Sequence, residues 1–175
     1  MSETHTQPNI LISACLLGNP VRYNGTDLFL DHPLIKKWLD QDRLIAVCPE
    51  VEGGLPVPRA PAEIINGDGK SVLGGKSRVM DDEGEDVTNA FIKGALKTLK
   101  MALDNECVAA ILTEHSPSCG SNRVYDGTFS KTKRDGVGVT TSMLEQNHIP
   151  VFNQEQLEDL EAYLDSGAYL DVKND

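Results

Sequence analysis

Three short apolar runs, each giving way to a cysteine, constrain this chain more than any other feature. Asn9-Ile10-Leu11-Ile12-Ser13-Ala14 is followed at once by Cys15, and Leu44-Ile45-Ala46-Val47 at once by Cys48. Val108-Ala109-Ala110-Ile111-Leu112 leads within a few residues to Ser116-Pro117-Ser118-Cys119-Gly120. Runs this short and this apolar predict buried strands rather than helices. Between them lie stretches of helical periodicity. One opens at Asp31-His32-Pro33, with Asp31 as expected N-cap, and presents Leu34, Ile35, Trp38 and Leu39. A second is expected from Thr88, as cap, to about Asn105, with Phe91, Ile92, Ala95, Leu96, Leu99 and Leu103 inward. Shorter helices are expected over 139–146 and 154–164, around a last strand at 149–152.

Alternation of strands and helices predicts an α/β fold: a mainly parallel central sheet flanked by helices, Rossmann-like and three-layered. A small hairpin insertion is expected where 63–66 and 70–73 flank Gly67-Asp68-Gly69. The expected organisation is a single catalytic domain over 9–166, with a frayed extension at 1–8 and a tail at 167–175. The polar, basic stretch 121–138 is expected to act as a mobile lid. In parallel sheets ligands gather beyond the carboxyl ends of the strands. Cys15, Cys48 and Cys119 should therefore meet at one edge. Cys107 enters its strand instead, roughly 15–20 Å away at about 3.3 Å per residue. The pattern is three plus one.

At 175 residues the chain is large enough for a full hydrophobic core. Its net charge of −11 disfavours a nucleic-acid polymer as partner, without touching a small neutral ligand. No run approaches the ~20 apolar residues of a membrane helix, and 1–8 lacks the pattern of a signal peptide. A cytoplasmic location is expected, where cysteine patterns point to metals or catalysis rather than disulfides. Nothing in the sequence sets an oligomeric state.

Four chemistries suit three thiols at one edge. They can be buried apolar residues. Cys119 can be a nucleophile with His115 or Glu50 as base. Three thiolates can hold zinc with an open position. They can equally hold an iron–sulfur cluster with one iron left to a ligand. Spacing alone does not choose among these.

Five blocks carry a resemblance: Ile12-Ser13-Ala14-Cys15-Leu16-Leu17-Gly18, Arg22-Tyr23-Asn24-Gly25, the stretch from Cys48-Pro49-Glu50 to Pro58-Arg59, Ser116-Pro117-Ser118-Cys119-Gly120, and Tyr125-Asp126-Gly127-Thr128-Phe129. From about residue 10 to 152 the chain resembles the bacterial domain-of-unknown-function family 523, whose characterised members are thiouracil desulfidases. The resemblance implies hydrolytic, non-redox removal of sulfur from 4-thiouracil or a similar thiated nucleobase, giving uracil and sulfide. It implies a [4Fe-4S] cluster on Cys15, Cys48 and Cys119, with one open iron to take the substrate sulfur. Within that chemistry Glu50 is the expected carboxylate for activating water, and Ser116 or Ser118 for moving protons or holding the ring. His115 stands where the family pattern leads one to expect arginine. The readings from other classes are a non-catalytic cluster or sulfur carrier and a metal-free cysteine hydrolase. Arg59 is expected either to clamp an acidic loop or to touch substrate, and Tyr23, Tyr125 and Phe129 to stack on a pyrimidine or anchor loops.

Overall fold

The computed structural model describes residues 7–172. The first half runs β1 (Asn9–Ser13), a 3-10 turn (Ala14–Leu17), α1 (Pro33–Asp40), β2 (Leu44–Val47), α2 (Pro49–Glu52), β3 (Ala62–Ile65), α3 (Gly69–Leu73) and β4 (Arg78–Asp81). The second runs α4 (Thr88–Asp104), β5 (Cys107–Ile111), β6 (Arg123–Tyr125), β7 (Lys133–Asp135) and α5 (Val139–Gln146). It closes with β8 (Val151–Phe152), α6 (Leu157–Ser166) and α7 (Ala168–Val172).

The central sheet has the order β2-β1-β5-β8, and every pairing in it is parallel. Side chains alternate across a strand, so each buried run feeds two cores. Ile10, Ile12, Ala109 and Ile111 pack with Ile35 and Trp38 of α1 and Leu157 and Leu160 of α6. Leu11 and Ala110 face the other way, onto Ala102 of α4 and Leu144 of α5. This is the expected three-layer α/β arrangement. A strand covered on both faces has no polar side to show, which is why these runs read as continuous hydrophobic stretches.

The insertion differs from its expected form. β3 pairs antiparallel with β4, in the register Ala62↔Asp81 to Ile65↔Arg78, and not with 70–73. Residues 69–73 are helical because Asp68 and Ser71 form a capping box: the Asp68 carboxylate accepts from Ser71 N, and the Ser71 hydroxyl accepts from Asp68 N. Ile64, Val79, Val72, Phe91 and Val139 make a third core beneath this insertion.

Helix ends also differ. His32, not Asp31, caps α1, its Nδ1 accepting from Leu34 N at 3.1 Å. Thr88 does not cap α4; its hydroxyl instead accepts from Val79 N at 2.9 Å, tying the helix start to β4. The buried face of α4 is Phe91, Gly94, Ala95, Thr98 and Ala102, while Leu96 and Leu103 are exposed. Small residues win that face because α2 lies directly against it. A Cβ on Gly94 would overlap the Pro49 carbonyl oxygen, and one on Gly53 the Ala90 carbonyl oxygen. The closing helix begins at Leu157 rather than 154, and the tail carries α7, whose Tyr169 ring lies 6.3 Å from that of Tyr163. The expected frayed extension falls largely outside the described residues; within it, Pro8 O and Gln7 Oε1 accept from the Arg43 guanidinium. Among the described residues no helix is long and apolar enough to cross a membrane.

The α2–α4 contact sets the position of everything that follows β2. Gly94→Ala should push α2 outwards, lowering stability by about 1–3 kcal/mol, the usual cost of overpacking. Urea denaturation checks this, and an unchanged midpoint would contradict so close a contact.

Candidate functional site

The carboxyl ends of β2, β1 and β5, neighbours in the sheet, open onto a cavity of about 1010 Å³. The chain leaves β1 towards β2 on one side and reaches β5 on the other, so this edge is a topological switch point, the usual ligand site of such sheets. Cys15, Cys48 and Cys119 all line the cavity, as do Glu50, Ser116 and Ser118. Cys107, at the first position of β5, lies at the opposite end of the strand and packs in the α4–α5 core.

Local sequence explains each placement. Cys15 sits in the tight turn after β1, which ends at Gly18 with φ +95°, a conformation glycine adopts without strain. Cys48 is the N-cap of α2, with Pro49 at the first helical position, where its missing N–H costs nothing. Its thiol reaches the Val21 carbonyl at 3.8 Å. Cys119 is held by its backbone: the Ser116 hydroxyl accepts from Ser118 N (3.1 Å) and Cys119 N (3.0 Å), and Thr141 Oγ1 donates to Cys119 O at 2.9 Å. Gly138 presses on the same turn, since a Cβ there would overlap the Ser118 carbonyl.

The electrostatics of the three thiols run one way. Burial, and then the neighbouring Cys48, push the Cys15 thiol up to about 11. Burial also raises Cys48. Cys119, buried, is raised by that burial and further by Glu50, Cys48 and Cys15; the Ser116 hydrogen bond works against this. Glu50 thus bears on all three thiols, and neighbouring cysteines on Cys15 and Cys119. Among the described residues no histidine is hydrogen-bonded to a cysteine, and the cysteines are free thiols. No group of three or more His, Cys, Asp or Glu side chains among them is gathered to hold a single metal ion.

Glu50 is clamped. Arg59 Nε donates to Glu50 Oε2 at 2.7 Å, and Nη2 forms an ion pair with the same oxygen. Arg59 is itself fixed by the Val21 and Pro56 carbonyls, at 3.0 and 3.2 Å. Both side chains are largely buried, at 13% and 7% exposure, which favours one geometry over a solvated pair. Oε1 is left for Ser118 Oγ, 3.5 Å away, and for the cavity. Arg59 thus clamps Glu50, and it also lines the cavity. Tyr23, Tyr125 and Phe129 line the cavity, and His115, with φ +76°, tilts its ring 6.4 Å from that of Tyr125. The stretch 121–138 contains the β6–β7 hairpin, and Lys131 and Lys133 stand at the cavity wall.

Two carboxylates do work that the sequence reading did not assign. Glu114, just past β5, accepts from the backbone N–H of His115, Ser121, Asn122 and Arg123, and from Ser121 Oγ, Asn122 Nδ2 and Asn153 Nδ2. It ties both ends of the Ser-Pro-Ser-Cys-Gly loop to the end of β8. Glu63, on β3, accepts from Gly127 N and Phe129 N. The signal for Glu63 is a charged residue beside the inward Ile64; for Glu114 it is an acid placed straight after a buried strand.

Three comparisons bear on this geometry. The family model for 2-thiouracil desulfurase matches residues 10–156. The uncharacterized protein YbbK of Bacillus subtilis (strain 168) is 44% identical over 151 residues, covering 86% of this chain and 99% of that protein. The solved structure of a [4Fe-4S]-dependent thiouracil desulfidase, TudS (DUF523Vcz), superposes with a TM-score of 0.82 at 40% identity, over 90% of this chain and 98% of that one.

Glu114 makes the loop carrying Cys119 sensitive to acid. Burial by itself raises its carboxyl, but the hydrogen bonds from Asn122, Asn153, His115 and Arg123 outweigh this and hold it at about 2, below the ordinary 4.5. A depressed folded-state value means the stabilisation is complete above about pH 4.5 and is lost as the pH falls towards 2. Glu114→Gln should cost about 2 kcal/mol at neutral pH, allowing for solvent screening of a half-buried group. Denaturation midpoints of wild type and variant should converge on acidification. Parallel curves would remove Glu114 from this role. With the strand-edge cavity and the three comparisons together, the chain belongs to the 2-thiouracil desulfurase family.

Proposed function

We propose that this protein is an enzyme that removes sulfur hydrolytically from a thiated pyrimidine such as 4-thiouracil, giving uracil and sulfide. The observation that carries the reading is the convergence of three thiols, from three adjacent strand ends, on one cavity beside an Arg-clamped carboxylate. Family membership and the TudS likeness support it.

The donor set fits a [4Fe-4S] cluster held by Cys15, Cys48 and Cys119. Three thiols raised by burial, and further by the Glu50 carboxylate, form a site of soft donors that a cationic, thiophilic centre would relieve. Each cysteine of a cubane binds its own iron, so the sulfurs need not gather around one ion. When bound, such a cluster supplies a Lewis-acidic iron, free of protein ligands, for the thiocarbonyl sulfur.

The chain's own groups do the rest. Glu50 Oε1, with Oε2 occupied by Arg59, is the acceptor that can hold a water against the thiocarbonyl carbon and take its proton. Ser118 Oγ, directed at the same oxygen, can relay that proton. The water oxygen becomes the new carbonyl oxygen, and sulfur leaves with the water's two protons as hydrogen sulfide. Ser116 accepts two backbone N–H groups and bonds to Cys119, so its part is to shape the ligand turn rather than to move protons. A metal-free thiol nucleophile needs a lowered pKa or an adjacent base; burial raises all three thiols here, and the adjacent carboxylate, Glu50, raises them further and is itself ion-paired to Arg59. A mere carrier would have no use for a clamped carboxylate in the cavity.

The test is an anaerobic assay following loss of thiouracil absorbance together with sulfide release, for wild type and Glu50→Gln. Wild type should turn over both 2- and 4-thiouracil or one of them. Glu50→Gln should keep its iron and lose at least about 10²-fold in kcat, the usual share of a general base. Wild-type turnover by the variant would contradict the role of Glu50, and an iron-loaded wild type without turnover would contradict the activity itself.

A further inference from the structure

The loop between β6 and β7 is built more rigidly than a connecting hairpin needs. Its neck is closed by Asp126 N donating to Thr132 O at 2.9 Å. Inside, Asp126 Oδ1 accepts from Thr128 N and Oγ1, and hydroxyls join Thr128 to Ser130 (2.5 Å) and Ser130 to Thr132 (2.8 Å). Gly127, at φ +91°, lets the loop settle on β3: a Cβ there would lie 2.6 Å from the Ile64 carbonyl oxygen. Phe129 then takes φ +57°, a left-handed conformation that costs a bulky residue energy. Something must hold it there.

Glu63 supplies that hold. Its Oε1 accepts from Gly127 N at 3.0 Å and from Phe129 N at 3.2 Å, and the side chain is buried at the cavity wall. Phe129, so held, also lines the cavity. We propose that Glu63 is a positioning residue that latches the 126–132 loop to β3, so that Phe129 roofs the cavity and offers an aromatic face to the heterocycle of the substrate. The substrate part rests on the desulfidase reading above. Aromatic stacking of this kind adds binding common to ground and transition states, so it is read in KM rather than kcat.

Two readouts test the latch. In the iron-loaded enzyme, Glu63→Ala should raise KM for 4-thiouracil about tenfold, with kcat within about twofold. The same variant should be cut by trypsin after Lys131 about tenfold faster than wild type, because cleavage follows the open population of the loop. Glu63→Gln keeps a carbonyl oxygen that can accept from both N–H groups, and should stay within about twofold of wild type in both readouts. Wild-type KM and wild-type cleavage in Glu63→Ala would overturn the proposal, as would a Glu63→Gln variant as impaired as Glu63→Ala. Should Glu63→Ala fail to fold, Phe129→Ala decides: a raised KM is expected, and an unchanged one overturns the roof. If wild type itself does not turn over thiouracil, the desulfidase reading fails on its own, and the cleavage rates still decide the latch.

Discussion

Parallel pairing of β1 with β2 on one side and β5 on the other is the constraint from which the site follows. It sends three strand ends the same way, and each end is followed by a break in regular structure: a 3-10 turn, a proline-started helix, and the Ser-Pro-Ser-Cys-Gly loop. A strand shifted by one residue would turn its buried side chains to the wrong core. Because both faces of the sheet are packed, that register is fixed, and with it the spacing of Cys15, Cys48 and Cys119. Cys107 shares the sheet but lies at the other end of β5, so the same topology that gathers three cysteines removes the fourth.

The second layer of control is how tightly the flanking pieces are seated. α2 carries Glu50 and is pressed onto α4 through Gly53 and Gly94. Arg59 reaches back across the proline-rich segment to fix one oxygen of Glu50 and the carbonyl beside Cys48. Glu114 ties down the loop that bears Cys119, and Glu63 the loop that bears Phe129. Three cavity-lining carboxylates thus serve different ends. Glu63 and Glu114 accept from backbone N–H groups and act as staples, whereas Glu50 is held through one oxygen by Arg59.

Much of this was legible in the residues. The strand runs, the α/β class and the grouping of the cysteines follow from short apolar stretches and from what ends them, because burial on both faces leaves so strong a pattern. Local ambiguities were resolved otherwise by tertiary context. Gly67-Asp68-Gly69 reads equally as a hairpin turn or a helix cap, and Ser71 tips it to the cap. α4 bears apolar side chains over a wide arc beside its Lys93, Lys97 and Lys100 stripe, and the approach of α2 selects small ones for the inner face. Tyr169 and its helix depend on contact with Tyr163, which no local pattern announces. The staples Glu63 and Glu114 act over 64 and 39 residues of chain, to Gly127 and Asn153, and sequence spacing is silent about such pairs.

The central claim is that Cys15, Cys48 and Cys119, and not Cys107, hold a four-iron cluster. Iron and sulfide analysis with an absorption spectrum after anaerobic reconstitution tests it most directly, on wild type, Cys107→Ser and the triple variant Cys15→Ser/Cys48→Ser/Cys119→Ser. About four irons per chain and a broad thiolate-to-iron band are expected in wild type and Cys107→Ser, both lost in the triple variant. A colourless, iron-free wild type after reconstitution, or a triple variant that still binds four irons, would contradict it.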